Sequence, residues 1–116
     1  IRPVAGAADL HAAREAAARV EVAPAVMAYL VDICRATRTS PAVRLGVSPR
    51  GATALLRTSR VWAFLQGRGF VTPDDVKTMA PSTLAHRLGL RAEANLEGIT
   101  AVNVISGVLA ATPVPR

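Results

Sequence analysis

The residues with most chemical potential lie in one short run, Gly46-Val47-Ser48-Pro49-Arg50-Gly51-Ala52. Ser48 is a natural helix N-cap and Pro49 a natural first helical residue, so Arg50 falls in a first turn. A cation there opposes the helix dipole and costs about 0.3–1 kcal/mol. An anion in front of the helix would reverse that cost, because backbone N–H groups and the guanidinium would converge on it. The chemistry on offer is therefore the holding of a phosphate or carboxylate by Ser48, Pro49 and Arg50.

Other reactive types are less suggestive. Asp74 and Asp75 are adjacent carboxylates, but they follow Thr72-Pro73, where cap and dipole duty explain them. His11 sits on a polar helical face, and His86 stands beside Arg87 near a helix end. The two lack metal-ligand spacing. Cys34 falls on an apolar stripe and reads as an inert core residue. As the only cysteine it excludes a disulfide framework. Trp62 and Phe64 read as core aromatics, and Arg38 and Arg44 as loop cations, solvated, paired or lining the same anion site.

These residues need elements to position them, and the pattern is helical. Residues 1–7 read as a linker, with Pro3 and Gly6 as breakers. A first helix is expected from Ala8 to Arg19, with Leu10, Ala13, Ala17 and Val20 inward. A second opens at Pro24 and ends near Thr37, its apolar face built on Met27, Leu30, Val31 and Cys34. Arg38 to Pro41 is then loop, since a proline biases the residue before it away from helix. The third helix starts at Ser48 and stops at Gly67 and Gly69, about 28 Å long. The fourth is capped by Thr72 and should kink or restart at Pro81, with Ser82 to Leu88 adding a turn or two. Leu90 to Glu97 alternates weakly and reads as a short extended segment (residues 90–97), before a last helix from Thr100 to Leu109. The fold class is all-α, a bundle of about five helices.

Composition is consistent with this. The 116 residues fit one domain with a real core. Apolar residues make up 51% and aromatics only 3%, which favours thin helices packed closely. The net charge of +6 is carried almost wholly by arginine and suits acidic or phosphorylated partners. The apolar stretch Ile99 to Val114 is too short and too interrupted to span a bilayer. No signal-peptide pattern is present, and the lone cysteine suits a cytoplasmic location.

Four segments together resemble the helical lid of MoxR-type AAA+ ATPases. Gly46-Val47-Ser48-Pro49-Arg50-Gly51 resembles that family's Gly-Ala-Ser-Pro-Arg-Ala sensor-2 run, with Val for Ala at 47 and Gly for Ala at 51. Ala36-Thr37-Arg38 resembles its Ala-Thr-Arg segment. Gly67-Arg68-Gly69-Phe70-Val71-Thr72-Pro73-Asp74-Asp75-Val76 resembles its Gly-Arg-Asp-Tyr-Val-x-Pro-Asp-Asp-Val connector, departing at Gly69 and Phe70. Ala85-His86-Arg87-Leu88 resembles the segment closing the second half of the lid.

The resemblance implies a lid domain over residues 8–112, attached through residues 1–7 to an ATPase core. It implies ATP with Mg2+ as the nucleotide of the full-length protein, Arg50 as the sensor-2 contact to the γ-phosphate, and Ser48, Pro49 and Tyr29 as neighbours of the nucleotide. Implied partners are the core, adjacent subunits of a hexamer with chaperone-like action, and a von Willebrand factor A-domain protein. The chain carries neither a G-x-x-x-x-G-K-[ST] loop nor an apolar strand ending in Asp-Glu, so it is not expected to hydrolyse ATP by itself. The rival reading is a free-standing basic helical module for nucleic acid or protein. Against nucleic acid, the arginines are spread over loops and several helices and form no basic recognition helix.

Overall fold

A computed structural model describes residues 1–116. The elements run α1 (Ala7–Ala18), α2 (Pro24–Thr39), β1 (Val43–Leu45), α3 (Pro49–Leu65), α4 (Pro73–Leu84), a 3-10 turn (Ala85–Arg87), β2 (Gly89–Leu90), α5 (Ala92–Leu96) and α6 (Ala101–Ala111). The helical bundle is as expected. The small antiparallel β1–β2 ribbon, pairing Val43 with Leu90 and Leu45 with Gly89, is an addition.

Three helix starts follow from their caps. Ser48 Oγ accepts the Gly51 N–H ahead of α3. Thr72 and Asp75 exchange side-chain and backbone bonds ahead of α4. Thr100 and Asn103 do the same for α6. Each such cap satisfies donors a helix cannot satisfy itself.

The core gathers the inward stripes of α2, α3, α4 and α6. Leu30, Ile33, Leu55, Val76, Leu84 and Ile105 are all buried within it. Burying a large aliphatic side chain stabilises by about 1.5–3 kcal/mol. α3 packs chiefly on α4, while α1 lies against α3. The molecule is a flat slab, 48 × 39 × 20 Å. A parallel bridge pins the chain after α1 to the loop before α4, through Glu21 N–H to Gly69 O and Val71 N–H to Glu21 O, both 2.9 Å.

Several expectations need correction. α2 runs on to Thr39, because Pro41 constrains only Ser40, which is extended at ψ 131°. α4 continues through Pro81 to Leu84. A proline forfeits one backbone bond there, but Val76, Ala80 and Leu84 are wholly buried on both sides of it and hold the helix. The extended segment expected at 90–97 is confined to Leu90 at its edge; Ala92–Leu96 is helix, anchored by buried Ala94 and closed by Gly98 at φ 79°. Leu10 is 60% exposed, not inward, since α1 buries only Ala17. No helix is long and apolar enough to cross a membrane.

Candidate functional site

The start of α3 is built by parts distant in sequence. Thr37, at the end of α2, has a hydroxyl that donates to Cys34 O (2.6 Å) and accepts the Val47 N–H (3.0 Å). The next residue, Arg38, donates from Nε to Val47 O at 3.0 Å. Both backbone groups of Val47 are thus held by neighbouring residues of α2. So close an approach requires Gly46. A Cβ there would lie 2.6 Å from Arg38 Cγ and 2.8 Å from its Cα. The Gly46 and Thr37-Arg38 motifs are two sides of one clasp.

From that clasp Ser48 caps α3, Pro49 opens it, and Arg50 emerges exposed in its first turn. Arg50 lines an open cleft of about 470 Å³ with Pro49, Thr53, Ala54, Arg57 and Arg87. Three arginines line it and no carboxylate does. The Arg68–Asp75 ion pair and the His11–Glu15 contact lie elsewhere. A first-turn cation with no acidic partner is suited to an external anion.

The sequence did not assign two of these arginines to the anion site. Arg57 follows Arg50 at i+7, two turns on along the same face, and that spacing was readable. Arg87 arrives from the 3-10 turn, and no local signal indicates that it meets α3. Arg57 also borders a second cleft of about 400 Å³, with Arg14, Arg60, Ala17, Ala18 and Val61. There Arg60 Nε is buried without a hydrogen-bond partner.

The structure does not bring Tyr29 to this cleft. The ring is 2% exposed within the core, so its expected place beside a nucleotide is not available on this surface. Burial, then the Asp74 carboxylate, raise its phenol above the ordinary value. Neither Arg44 nor Arg38 lines the cleft, and Arg38 Nε holds Val47 O. His86 is exposed on the 3-10 turn. Cys34 is buried, which lifts its thiol to about 11 despite the opposing Arg38 charge.

Asp75 has a structural role, and one partner that was not foreseen. It receives two bonds from the Arg68 guanidinium at 2.5 Å and one from Thr72 N–H at 2.7 Å. Burial alone would raise its carboxyl, but the Arg68 bonds and those of Thr72 outweigh it and hold it below the usual range. The connector motif is therefore a scaffold for the α3–α4 turn.

Residues 35–108 match the family model of the AAA lid domain. The chain belongs to the AAA lid domain family. Its relatives include MoxR proteins. It is 32% identical to the chaperone MoxR1 of Mycobacterium tuberculosis, over 93% of this chain and 31% of that protein. It is 37% identical to the MoxR protein of Methylorubrum extorquens over 84 residues, 61% of this chain and 24% of that one. The Bacillus subtilis protein YeaC, itself uncharacterised, is 37% identical over 99% of the lid and 36% of its own length. The lid thus spans about a third or less of these relatives. A Cytophaga hutchinsonii crystal structure with a provisional ATPase designation superposes with a TM-score of 0.82, at 26% identity, over 88% of this chain and 34% of that one.

Guanidinium groups and a helix N-terminus fit phosphate oxygens. Magnesium takes oxygen ligands, and the only side-chain oxygen in the cleft lining is the Thr53 hydroxyl, which donates to Pro49 O at 3.1 Å. The lining therefore suits phosphate oxygens and offers no carboxylate for Mg2+.

Proposed function

We propose that this lid closes over ATP bound mainly by a neighbouring AAA+ core, with Arg50 reaching the terminal phosphate as the sensor-2 residue. The observation that carries the reading is the exposed, unpaired Arg50 at the α3 N-terminus, in a cleft of arginines without a carboxylate. When bound, ATP supplies the phosphoryl group. Arg50 holds charge on the terminal phosphate, and Pro49 and the Ser48 cap keep the helix end aimed at it. Phosphoryl transfer depends on positioning and charge stabilisation, so one placed arginine carries large weight.

The same construction couples the nucleotide to movement. Val47 is bonded to α2 through Thr37 and Arg38, three residues before Arg50. A pull on Arg50 therefore shifts α2 and α3 as one body. Loss of the terminal phosphate releases that pull, and the lid rotates relative to its core and to adjacent subunits of a chaperone-like ring.

The test is Arg50→Ala in the full-length protein. ATP turnover should fall on the order of a hundredfold with the unfolding midpoint unchanged. Turnover at the wild-type rate would refute the role.

A further inference from the structure

The cleft holds two kinds of arginine. Arg50 and Arg57 make no hydrogen bond or ion pair within the chain, whereas Arg87 is anchored: its Nε donates to Thr83 O at 3.2 Å. Its aliphatic stem lies over the first turn of α3, where a Cβ on Gly51 would stand 3.3 Å from Arg87 Cδ. Both terminal nitrogens of Arg87 remain without a protein partner. A guanidinium pinned at Nε and free at its two ends presents a planar fork, the geometry that grips a phosphate by two parallel bonds. Because it is already held, it loses less side-chain freedom on binding than a free arginine would.

We infer that Arg87 is a second phosphate-binding residue of this lid, a pre-set fork that receives the same polyphosphate as Arg50. This rests on the reading of the cleft as a nucleotide site. Arg50 is the mobile arm and Arg87 the fixed one. A ligand with more phosphate groups engages both, so Arg87 favours the triphosphate over the diphosphate. The nearness of Gly51 to Arg87 gives that glycine a part in the site: it seats the fork one residue from Arg50.

The test measures binding of AMP-PNP, ADP and AMP to the full-length protein carrying Arg87→Met, Arg50→Met or Arg35→Ala. Methionine keeps the stem over Gly51 and removes the charge. Arg35 is exposed on α2, away from the cleft, and controls for net charge. Arg87→Met should weaken AMP-PNP by about tenfold or more, the worth of a charge-assisted bond. ADP should weaken less and AMP hardly at all, while Arg35→Ala and the unfolding midpoints stay near wild type. Wild-type affinity in Arg87→Met beside a weakened Arg50→Met would overturn the inference and leave the role of Arg50 standing. Equal losses for all three nucleotides would overturn it as well. Unchanged binding in Arg50→Met would remove the reading on which it rests.

Discussion

The side chain of Val47 occupies the space that a side chain at position 51 would need. A Cβ added to Gly51 would sit 2.5 Å from Val47 Cγ1, far inside contact distance. Val47 is fully buried beneath the first turn of α3, so it cannot swing away freely. The positions at which this chain departs from the Gly-Ala-Ser-Pro-Arg-Ala run thus share one space. A larger residue at 47 goes with a smaller one at 51, and the turn bearing Arg50 keeps its place.

A double-mutant cycle tests this. Gly51→Ala alone should destabilise by about 1–3 kcal/mol through overpacking. Val47→Ala alone should leave a cavity and also destabilise. The pair together should lie closer to wild type than the sum of the two, with a coupling of about 1 kcal/mol or more in denaturant unfolding. Additive losses would show that the residues do not share one space.

Gly46→Ala should be worse than Gly51→Ala. Its Cβ would meet Arg38 backbone atoms, Cα at 2.8 Å and N at 2.9 Å, and backbone cannot rotate aside. Thr37→Val removes only the hydroxyl and leaves the buried Val47 N–H without its acceptor. A loss of about 1–3 kcal/mol is expected from that orphaned donor. An unfolding midpoint equal to wild type for either variant would refute the clasp.

Much of this was legible in the sequence where the signal is local. Ser48-Pro49 and Thr72-Pro73 announce helix starts by chemistry that acts within four residues, and both are starts in the fold. Cys34 was readable as core because helical period places it beside Leu30. What escaped was built over distance. The meeting of Arg87 with Arg50, the hold of Thr37 and Arg38 on Val47, and the pairing of Val43 with Leu90 join segments whose proximity depends on the whole packed core. Pro81 does not end α4, because its local cost is outweighed by buried Val76, Ala80 and Leu84. Tyr29 is an aromatic that the packed core buries.

Acid should weaken the α3–α4 turn through Asp75. The folded carboxyl titrates below the ordinary value, so its stabilisation is fully present above the unfolded pKa of about 3.9. It is lost as pH falls through the lower folded value. Asp75→Asn should therefore lower stability at neutral pH and flatten the fall between neutral and acid conditions. Parallel stability–pH curves for the variant and wild type would contradict the assignment.

Cys34 should resist alkylation in the folded protein at neutral pH. Its thiol is buried and raised to about 11, so almost no thiolate is present. Modification by iodoacetamide should track unfolding in denaturant. The linked effect has the opposite sign to that of Asp75. The neutral thiol favours the fold fully below about pH 8.5, the unfolded value, and that contribution fades as pH rises toward the folded one. Rapid labelling at pH 7 without denaturant would contradict the burial.

The most direct measurement is the position of the Arg50 guanidinium in a structure of the full-length protein bound to a non-hydrolysable ATP analogue. The account predicts a nitrogen of Arg50 at about 2.7–2.9 Å from a terminal phosphate oxygen, the length of a charge-assisted bond. Density showing Arg50 turned to solvent, with the terminal phosphate held wholly by other residues, would contradict it.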